Sequence, residues 1–437
     1  MTRKRRWIAG LAAVLAVLLA GLWALLHAWL PSDDQLAAQL ATRFEQTFGI
    51  GLAVGAAHWS LRPVPVIVLS QLATAQPRPI TVRRIVLHPQ LAALWRRELA
   101  LDSVEVEGAV LPRASVRAFR GRMQWEDLRT AGEASGWRVA ERPLQRLRLR
   151  DLMWIDRRDI ALAYDGDIDF DAGWRPRRAE IRRADTSPPA RLRLEREGDA
   201  DRWQTRIDAG GGAWSGVSTL AQQANGRLRL AAQLEAKNVD IESLMRAFGR
   251  ATPVAGKMAG QTEVRAEGGD MAEWMRSLHT HTRFTVQPAE LKRFDLAGAV
   301  RSAGTTRGGR TALDQLSGTL DTQLTDAGVV LQYSDLKARS GLLTASGRVR
   351  LFNRKLQGEA AVDLVDGVVG LPLQIAGTVE EPELSMTGGA LAGAAIGSAV
   401  LPGVGTALGA RLGQQVERLF DGDARQPASP ARRQARP

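Results

Sequence analysis

Apolar and charged residues alternate with a period of two along most of this chain, from about residue 50 to residue 386. In the segment LQRLRLRDL, Leu147 and Leu149 alternate with Arg146, Arg148 and Arg150. Successive side chains of a β-strand point to opposite faces of its sheet. The spacing therefore predicts half-buried strands that are apolar on one face and charged on the other, and a chain that is mainly β.

The alternation recurs in the segments RLRLER, RLRLAAQLEA, GRVRLF, EAAVDLV and LPLQIAGTV. The apolar face predicted from the strands includes Leu147, Leu149, Leu192, Leu194, Leu228, Leu230, Val349, Leu351, Val362 and Leu364. Turns are expected at Asp165–Gly166, Asn225–Gly226 and Asp366–Gly367, where Gly follows a turn-favouring residue.

Helical patterns are few. Leu36, Leu40, Phe44 and Phe48 recur every four residues and predict an amphipathic helix over 33–48, and Ser32 with Gln35 resembles a capping box. Shorter helices are predicted at 90–97, 239–248, 271–278 and 312–316. This is too little helix to cover about twenty strands, so either two sheets close on each other or one curved sheet keeps an open apolar face.

Residues 7–30 form a run of 24 residues without a formal charge. As a helix the run would be about 36 Å long, enough to cross a hydrocarbon core of about 30 Å. Arg3, Lys4, Arg5 and Arg6 precede it and two acids follow it, which favours a cytoplasmic N-terminus and an external remainder. A cleaved signal peptide is the alternative, although its apolar region is usually only about 7–15 residues long.

The chain has 437 residues, no cysteine and a net charge of +12. Disulfides, thiolate catalysis and cysteine-ligated metals are therefore excluded. Basic charge often indicates nucleic-acid binding, but here it would lie across the membrane from nucleic acid, so no nucleic acid is expected. Anionic lipid headgroups are the more plausible electrostatic partner, and the alternative is an arginine-rich soluble face without a specific partner.

No familiar constellation for catalysis, metal or cofactor binding occurs, and no cofactor is predicted. His279 and His281 are a close pair but have no third ligand at a familiar spacing. Asp167 and Asp169 lie in the strand-like run AYDGDIDFD and are interpreted as a solvated strand face.

The composition changes near Thr387, where a stretch rich in glycine and alanine begins. Two series with a spacing of four predict a small-residue helical hairpin over 387–420, formed by Gly389, Gly393, Gly397, Gly405, Gly409 and Gly413. The hairpin either dips into one membrane leaflet or closes the apolar end of the sheet. The predicted organisation is an anchor at 1–30, β regions at 31–215 and 216–386, the hairpin, and a disordered basic tail at 421–437.

Several segments, in their order along the chain, resemble the AsmA family of inner-membrane-anchored periplasmic proteins. They are the anchor and the helix after it, IVLHPQLAALWRRELALDSVEVEGAVL (85–111), VDIESLMRAF (239–248), AGQTEVRAEGGDMAEWMRSL (259–278), LKRFDLAGAV (291–300), LSGTLDT (316–322), GLLTASGRVRL (341–351) and LPLQIAGTVEEPEL (371–384). The resemblance implies an elongated curved sheet, related to bridge-like lipid transporters, whose apolar groove holds acyl chains.

On this resemblance the expected function is non-enzymatic: inner-membrane-anchored lipid handling that supports phospholipid transport and outer-membrane homeostasis. The ten apolar strand residues are then groove candidates, and the six glycines are membrane-contact candidates. About twenty strands at about 4.8 Å spacing give roughly 100 Å of sheet, so crossing a periplasm would need a partner such as the outer membrane or its assembly proteins. The alternatives are an assembly factor for outer-membrane proteins that acts through strand edges and, in third place, a membrane-tethered enzyme.

Overall fold

The computed structural model describes residues 33–60, 65–119, 138–172, 175–183, 185–223, 227–269, 271–302, 308–325, 327–365 and 371–386. The predicted anchor at 7–30, the hairpin at 387–420 and the tail at 421–437 lie outside them. Within the described residues, no helix is both long enough and apolar enough to cross a membrane.

The prediction of a mainly β chain is confirmed, and twenty strands belong to one hydrogen-bonded sheet. The strands are β1 (Leu52–Ser60), β2 (Val66–Thr74), β3 (Thr81–Pro89), β4 (Glu98–Pro112), β5 (Arg138–Ile155), β6 (Ala161–Phe170), β7 (Pro176–Arg183), β8 (Ala190–Arg196), β9 (Arg202–Ala209), β10 (Gly212–Gln222), β11 (Leu228–Asp240), β12 (Val254–Gly268), β13 (His279–Leu291), β14 (Thr311–Leu313), β15 (Gln315–Thr325), β16 (Gly328–Arg339), β17 (Leu343–Phe352), β18 (Lys355–Leu364), β19 (Leu371–Gly377) and β20 (Pro382–Met386).

The described helices are mostly short. They are α1 (Asp33–Phe48), α2 (Leu91–Trp95), α3 (Arg113–Arg117), α4 (Ile241–Ala247), α5 (Met271–Ser277) and α6 (Leu296–Arg301). The contacts divide the chain into two compact units. Unit 1 contains the described residues of Met1–Arg250, Ala259–Thr282 and Gln323–Asp326, and unit 2 those of Ala251–Met258, Arg283–Thr322 and Ala327–Pro437.

In unit 1 the strands β1 to β11 pair in chain order, and every pair except one is antiparallel. The exception is β4 with β5, which run parallel. A parallel pair needs a long crossover, whereas antiparallel neighbours can be joined by tight turns. The chain between β4 and β5, residues 113–137, is the long connection that this pair requires.

The predicted amphipathic helix over 33–48 is confirmed, since α1 spans Asp33–Phe48. Its predicted stripe of Leu36, Leu40, Phe44 and Phe48 is buried. Leu36 and Leu40 join a core cluster with residues of β1 to β6, among them Leu69 and Leu87. Phe44 and Phe48 pack against Phe119, with ring centroids 5.9 and 5.6 Å away. The helix therefore covers one face of the first strands of unit 1.

In unit 2 the strands β16 to β20 pair antiparallel in chain order. Helix α6 packs against β18. Asp295 caps α6 by accepting a hydrogen bond from the Gly298 amide at 2.8 Å, and Leu296, Ala299 and Val300 are buried. A side-chain cap and an apolar stripe explain why this short segment is helical.

Two local predictions were wrong. Asp165–Gly166 is not a turn but lies inside β6, where Asp165 pairs with Arg182 and Gly166 pairs with both Leu149 and Ile181. Residues 312–316 are not a helix, because they contribute to β14 and β15, which are separated by Asp314. The predicted helices at 90–97, 239–248 and 271–278 are present in shortened form as α2, α4 and α5. The other two predicted turns, Asn225–Gly226 and Asp366–Gly367, lie outside the described residues.

Candidate functional site

One face of unit 1 is apolar across successive strands. Directly paired residues of neighbouring strands lie on the same face of a sheet. One such row, from β3 to β8, consists of Leu87, Val104, Leu147, Ile168, Ala179 and Leu194. A second row, from β5 to β10, consists of Leu149, Gly166, Ile181, Leu192, Ile207 and Trp214. The rows continue into β11 at Leu234 and Ala236, on the face that also carries Leu228 and Leu230.

The near end of this face is covered. Leu87, Val104 and Leu147 are 2%, 1% and 3% exposed and belong to the same core cluster as Leu36 and Leu40 of α1. Burial of this order is typical of side chains in a packed interior. At β1 to β5 the apolar face is therefore an ordinary core.

Farther along the sheet, on β7 to β10, the same face mixes buried residues such as Ala179 and Trp203 with half-buried apolar ones. We call five of its residues the apolar strip: Ile181, Leu192, Leu194, Ile207 and Trp214. Among the described helices, α4 packs most closely against these strands, and it contacts β9 and β11. Helix α4 lies at the ends of these strands. Gly210, directly after β9, is so close to α4 that an added Cβ atom would lie 3.0 Å from the Cβ of Leu244. Neighbouring side chains on the same sheet face cover the sides of the strip residues, and their outward surfaces remain partly exposed.

Arg183 lies at the end of the strip beside α4 and is 5% exposed. It donates hydrogen bonds to the Ala247 carbonyl and, at 2.8 Å, to Asp185, and its guanidinium lies 5.5 Å from the Tyr164 ring centroid. Its Nε has no hydrogen-bond partner among the described residues. Burial raises the pKa of Tyr164, and the neighbouring positive charge of Arg183 opposes that rise. Arg183 thus ties β7 to the C-terminal end of α4 and closes one end of the strip.

The opposite face of the same strands is charged, as the alternation predicts. Arg146, Arg148 and Arg150 each contact an acid of a neighbouring strand, with the partners Asp169 at 3.0 Å, Glu105 at 2.9 Å and Asp167 at 2.7 Å. These arginine side chains are 41–52% exposed. Asp167 and Asp169 are therefore arginine partners on a solvated strand face. Exposed ion pairs of this kind contribute about 0–1 kcal/mol each to stability. These pairs therefore keep the face hydrated more than they stabilise the fold.

Unit 2 has its own apolar face. Val349 pairs with Gly358, and Val362 pairs with Ala345 and Leu371. Val362 and Leu364 are 0% and 5% exposed, in the strand on which α6 packs. Val349 and Leu351 are half-buried. This face is covered at the C-terminal end of β18 and partly exposed at Val349 and Leu351.

The structure thus sorts the ten predicted face residues by exposure. Leu147, Val362 and Leu364 are buried within packed cores. The half-buried members are Leu149, Leu192, Leu194, Leu228, Leu230, Val349 and Leu351. The six predicted membrane-contact glycines lie outside the described residues.

Sequence reasoning missed three of the five strip residues: Ile181, Ile207 and Trp214. Ile181 and Ile207 could have been found by extending the two-residue repeat of RLRLER to its strand neighbours, since AEIRR and QTRIDA follow the same alternation. Trp214 has weaker support, because Gly216 and Ser218 follow it on the same face.

The described residues contain no group of three or more His, Asp or Glu side chains suited to a metal ion. His279 and His281 lie half-buried on the same face of β13. The features that distinguish this chain are therefore its two contrasting sheet faces and the partial exposure of the apolar one. Comparison with protein-family models, curated proteins and solved structures finds no match.

Proposed function

We propose that this chain is a non-enzymatic, inner-membrane-anchored protein that binds lipid acyl chains along the apolar strip. In this role it supports phospholipid transport and outer-membrane homeostasis. The observation that supports the proposal is that one sheet face is a packed core at β1 to β5, whereas at β7 to β10 it keeps five half-buried apolar residues among buried ones. Adjacent apolar side chains that no other element fully covers are a candidate binding surface.

The chemistry of the strip suits an acyl chain better than a polar ligand. Its five residues offer hydrocarbon and an indole ring, and the strands beneath them have their own hydrogen-bonding groups paired in the sheet. Burial of apolar area contributes about 25 cal/mol per Å² without requiring directional bonds, so chains of varied length can be held. The charged opposite face would keep the loaded protein hydrated.

The resemblance to the AsmA family supports the same proposal. The segments quoted for it include the one that contains α2, and the family is associated with inner-membrane anchoring and lipid handling. The 24-residue uncharged run at 7–30 supplies the anchor of the proposal.

The test is site-specific photocrosslinking in cells with the full chain. A benzophenone amino acid replaces Leu194 on the apolar strip, and a matched variant carries it at Arg193, the preceding residue of β8 on the charged face. Lipid adducts identified by mass spectrometry are expected at position 194 and not at position 193. Equal labelling at both positions, or no lipid at 194, would overturn the proposal. Polypeptide adducts at 194 would instead favour the assembly factor for outer-membrane proteins.

A further inference from the structure

The short helix α2 presents apolar side chains to solvent. Trp95 is 89% exposed and Leu91 is 46% exposed. Residues four apart lie on one side of a helix, so the two side chains form a single tip. Ala93 is 1% exposed, and Leu94 packs against the core cluster of unit 1, which fixes the helix in place. The tip is therefore held outward by a rigid base.

Two arginines follow this tip in the sequence. Arg96 and Arg97 follow Trp95 directly, and both are exposed. Arg96 contacts Glu98 at 3.1 Å. Their backbone amides close α2 by donating to the carbonyls of Ala93 and Leu94. Tryptophan beside arginine is the combination that favours the headgroup region of a bilayer, where the indole is amphipathic and the guanidinium meets lipid phosphate.

The fold places α2 at the same end of the strands as Asp33, the first described residue. Asp33, the first residue of α1, contacts His58 near the end of β1 at 3.1 Å. His58 pairs with Val68, and Val68 pairs with Val86 of β3. Strand β3 continues three residues beyond Val86 to Pro89, about 10 Å at about 3.3 Å per residue, before α2 begins. Helix α2 therefore lies beyond Asp33, farther from the middle of the strands.

If residues 7–30 form the proposed anchor, chain length limits how far from this end they can leave the bilayer. The uncharged run ends at Leu30, three residues before Asp33, and three residues span at most about 11 Å. We infer that the Leu91–Trp95 tip of α2 inserts into the headgroup region of the membrane that holds the anchor. Insertion fixes the strand ends of unit 1 against the bilayer surface. The inference rests on the anchored protein of the proposed function and adds a second, peripheral membrane contact to it.

Fluorescence quenching on the full chain tests this contact. Because the sequence has no cysteine, Trp95→Cys provides a single attachment point for an environment-sensitive nitrobenzoxadiazole probe. The matched control is Ala75→Cys, an exposed position directly after β2, at the opposite ends of the same strands. Both are reconstituted in vesicles of phosphatidylethanolamine and phosphatidylglycerol that contain a doxyl-labelled lipid. Quenching is expected to be several-fold stronger at position 95 than at position 75.

Trp95→Cys removes the indole, so Leu91→Cys provides a second probe that leaves Trp95 in place. Its quenching is expected to fall when Trp95→Glu is added, while the thermal unfolding temperature stays unchanged because Trp95 is exposed. Alkaline extraction separates two failures. Release of the chain from the vesicles would overturn both the anchor and this inference. A retained chain with no quenching at positions 91 and 95 would overturn the inference alone.

Discussion

At the residue scale, leucines with the same sequence pattern have different roles that only their cover reveals. Leu147 and Leu194 occupy one cross-strand row, linked through Ile168 and Ala179. Leu147 is 3% exposed in the core cluster that also contains Leu36 and Leu40 of α1, whereas Leu194 is half-buried on the apolar strip. The alternation predicted the face of both residues. How deeply each residue is buried depends on where a helix distant in sequence packs. The two-residue repeat does not encode that position.

This difference predicts opposite effects for one substitution. Leu147→Glu buries an unpaired charge, at a cost of several kcal/mol, and should unfold unit 1 or lower its stability sharply. Leu194→Glu leaves the carboxylate partly hydrated, so we expect near-native stability and loss of bound lipid. Thermal unfolding and lipid content are measured on each variant. Comparable destabilisation by both substitutions would mean that the strip is an ordinary core.

The two tyrosines of the chain provide a pH prediction. Burial raises the pKa of Tyr333 and of Tyr164 above the usual value of about 10. Unfolded tyrosines ionise first as the pH rises, so their contribution to stability is complete below about pH 10 and is lost between that pH and the raised folded values. Tyrosinate absorbance near 295 nm should appear above pH 10 in the native chain.

The single variants assign these ionisations. Tyr333→Phe should remove one tyrosinate step and reduce the alkaline loss of stability, and Tyr164→Phe should do the same for the other step. Titration of either native tyrosine at its ordinary pKa would contradict the burial that the structure gives it.

At the scale of elements, the sequence predicted α1 well and other short elements poorly. The α1 stripe repeats over four turns, so its periodicity is unambiguous. Residues 312–316 offer one turn only, and pairing with β13 determines their structure, since Ala312 pairs with Glu290. Gly166 follows Asp165, a pair typical of turns, but packing against Leu149 of β5 keeps it in the strand. Short motifs are therefore overruled by pairing partners that lie far away in sequence.

Helix α1 is predicted to be essential to unit 1. Leu36 is 0% exposed within the core cluster, so Leu36→Ala should cost about 2–5 kcal/mol of unfolding free energy by leaving a cavity. Gln46→Ala, at an exposed position of the same helix, is the control and should change stability by less than about 0.5 kcal/mol. Denaturant titrations of both variants measure the difference. Equal stabilities would show that α1 does not support the sheet.

At the scale of the whole molecule, the two sheet faces and the N-terminal run make one physical argument. On the proposed function, the charged face stays in water and the apolar strip takes up acyl chains. That assignment would place the sheet in an aqueous compartment beside a membrane. The sequence predicted the two faces from their alternation alone. It could not predict which stretch of the apolar face stays half-buried, because that depends on the placement of α1 and α4.

The orientation of the anchor gives the last prediction. Arg3, Lys4, Arg5 and Arg6 precede the uncharged run, and Asp33 and Asp34 follow it, so the N-terminus should stay in the cytoplasm. In the cysteine-free chain, Ala200→Cys places one thiol on the exposed turn between β8 and β9. In cells whose outer membrane alone is permeabilised, this thiol should react with a membrane-impermeant maleimide. Thr2→Cys should react only after the inner membrane is lysed, because its thiol would lie on the cytoplasmic side. The reverse pattern would refute the orientation, and a mature protein that starts beyond residue 30 would show a cleaved signal peptide instead of an anchor.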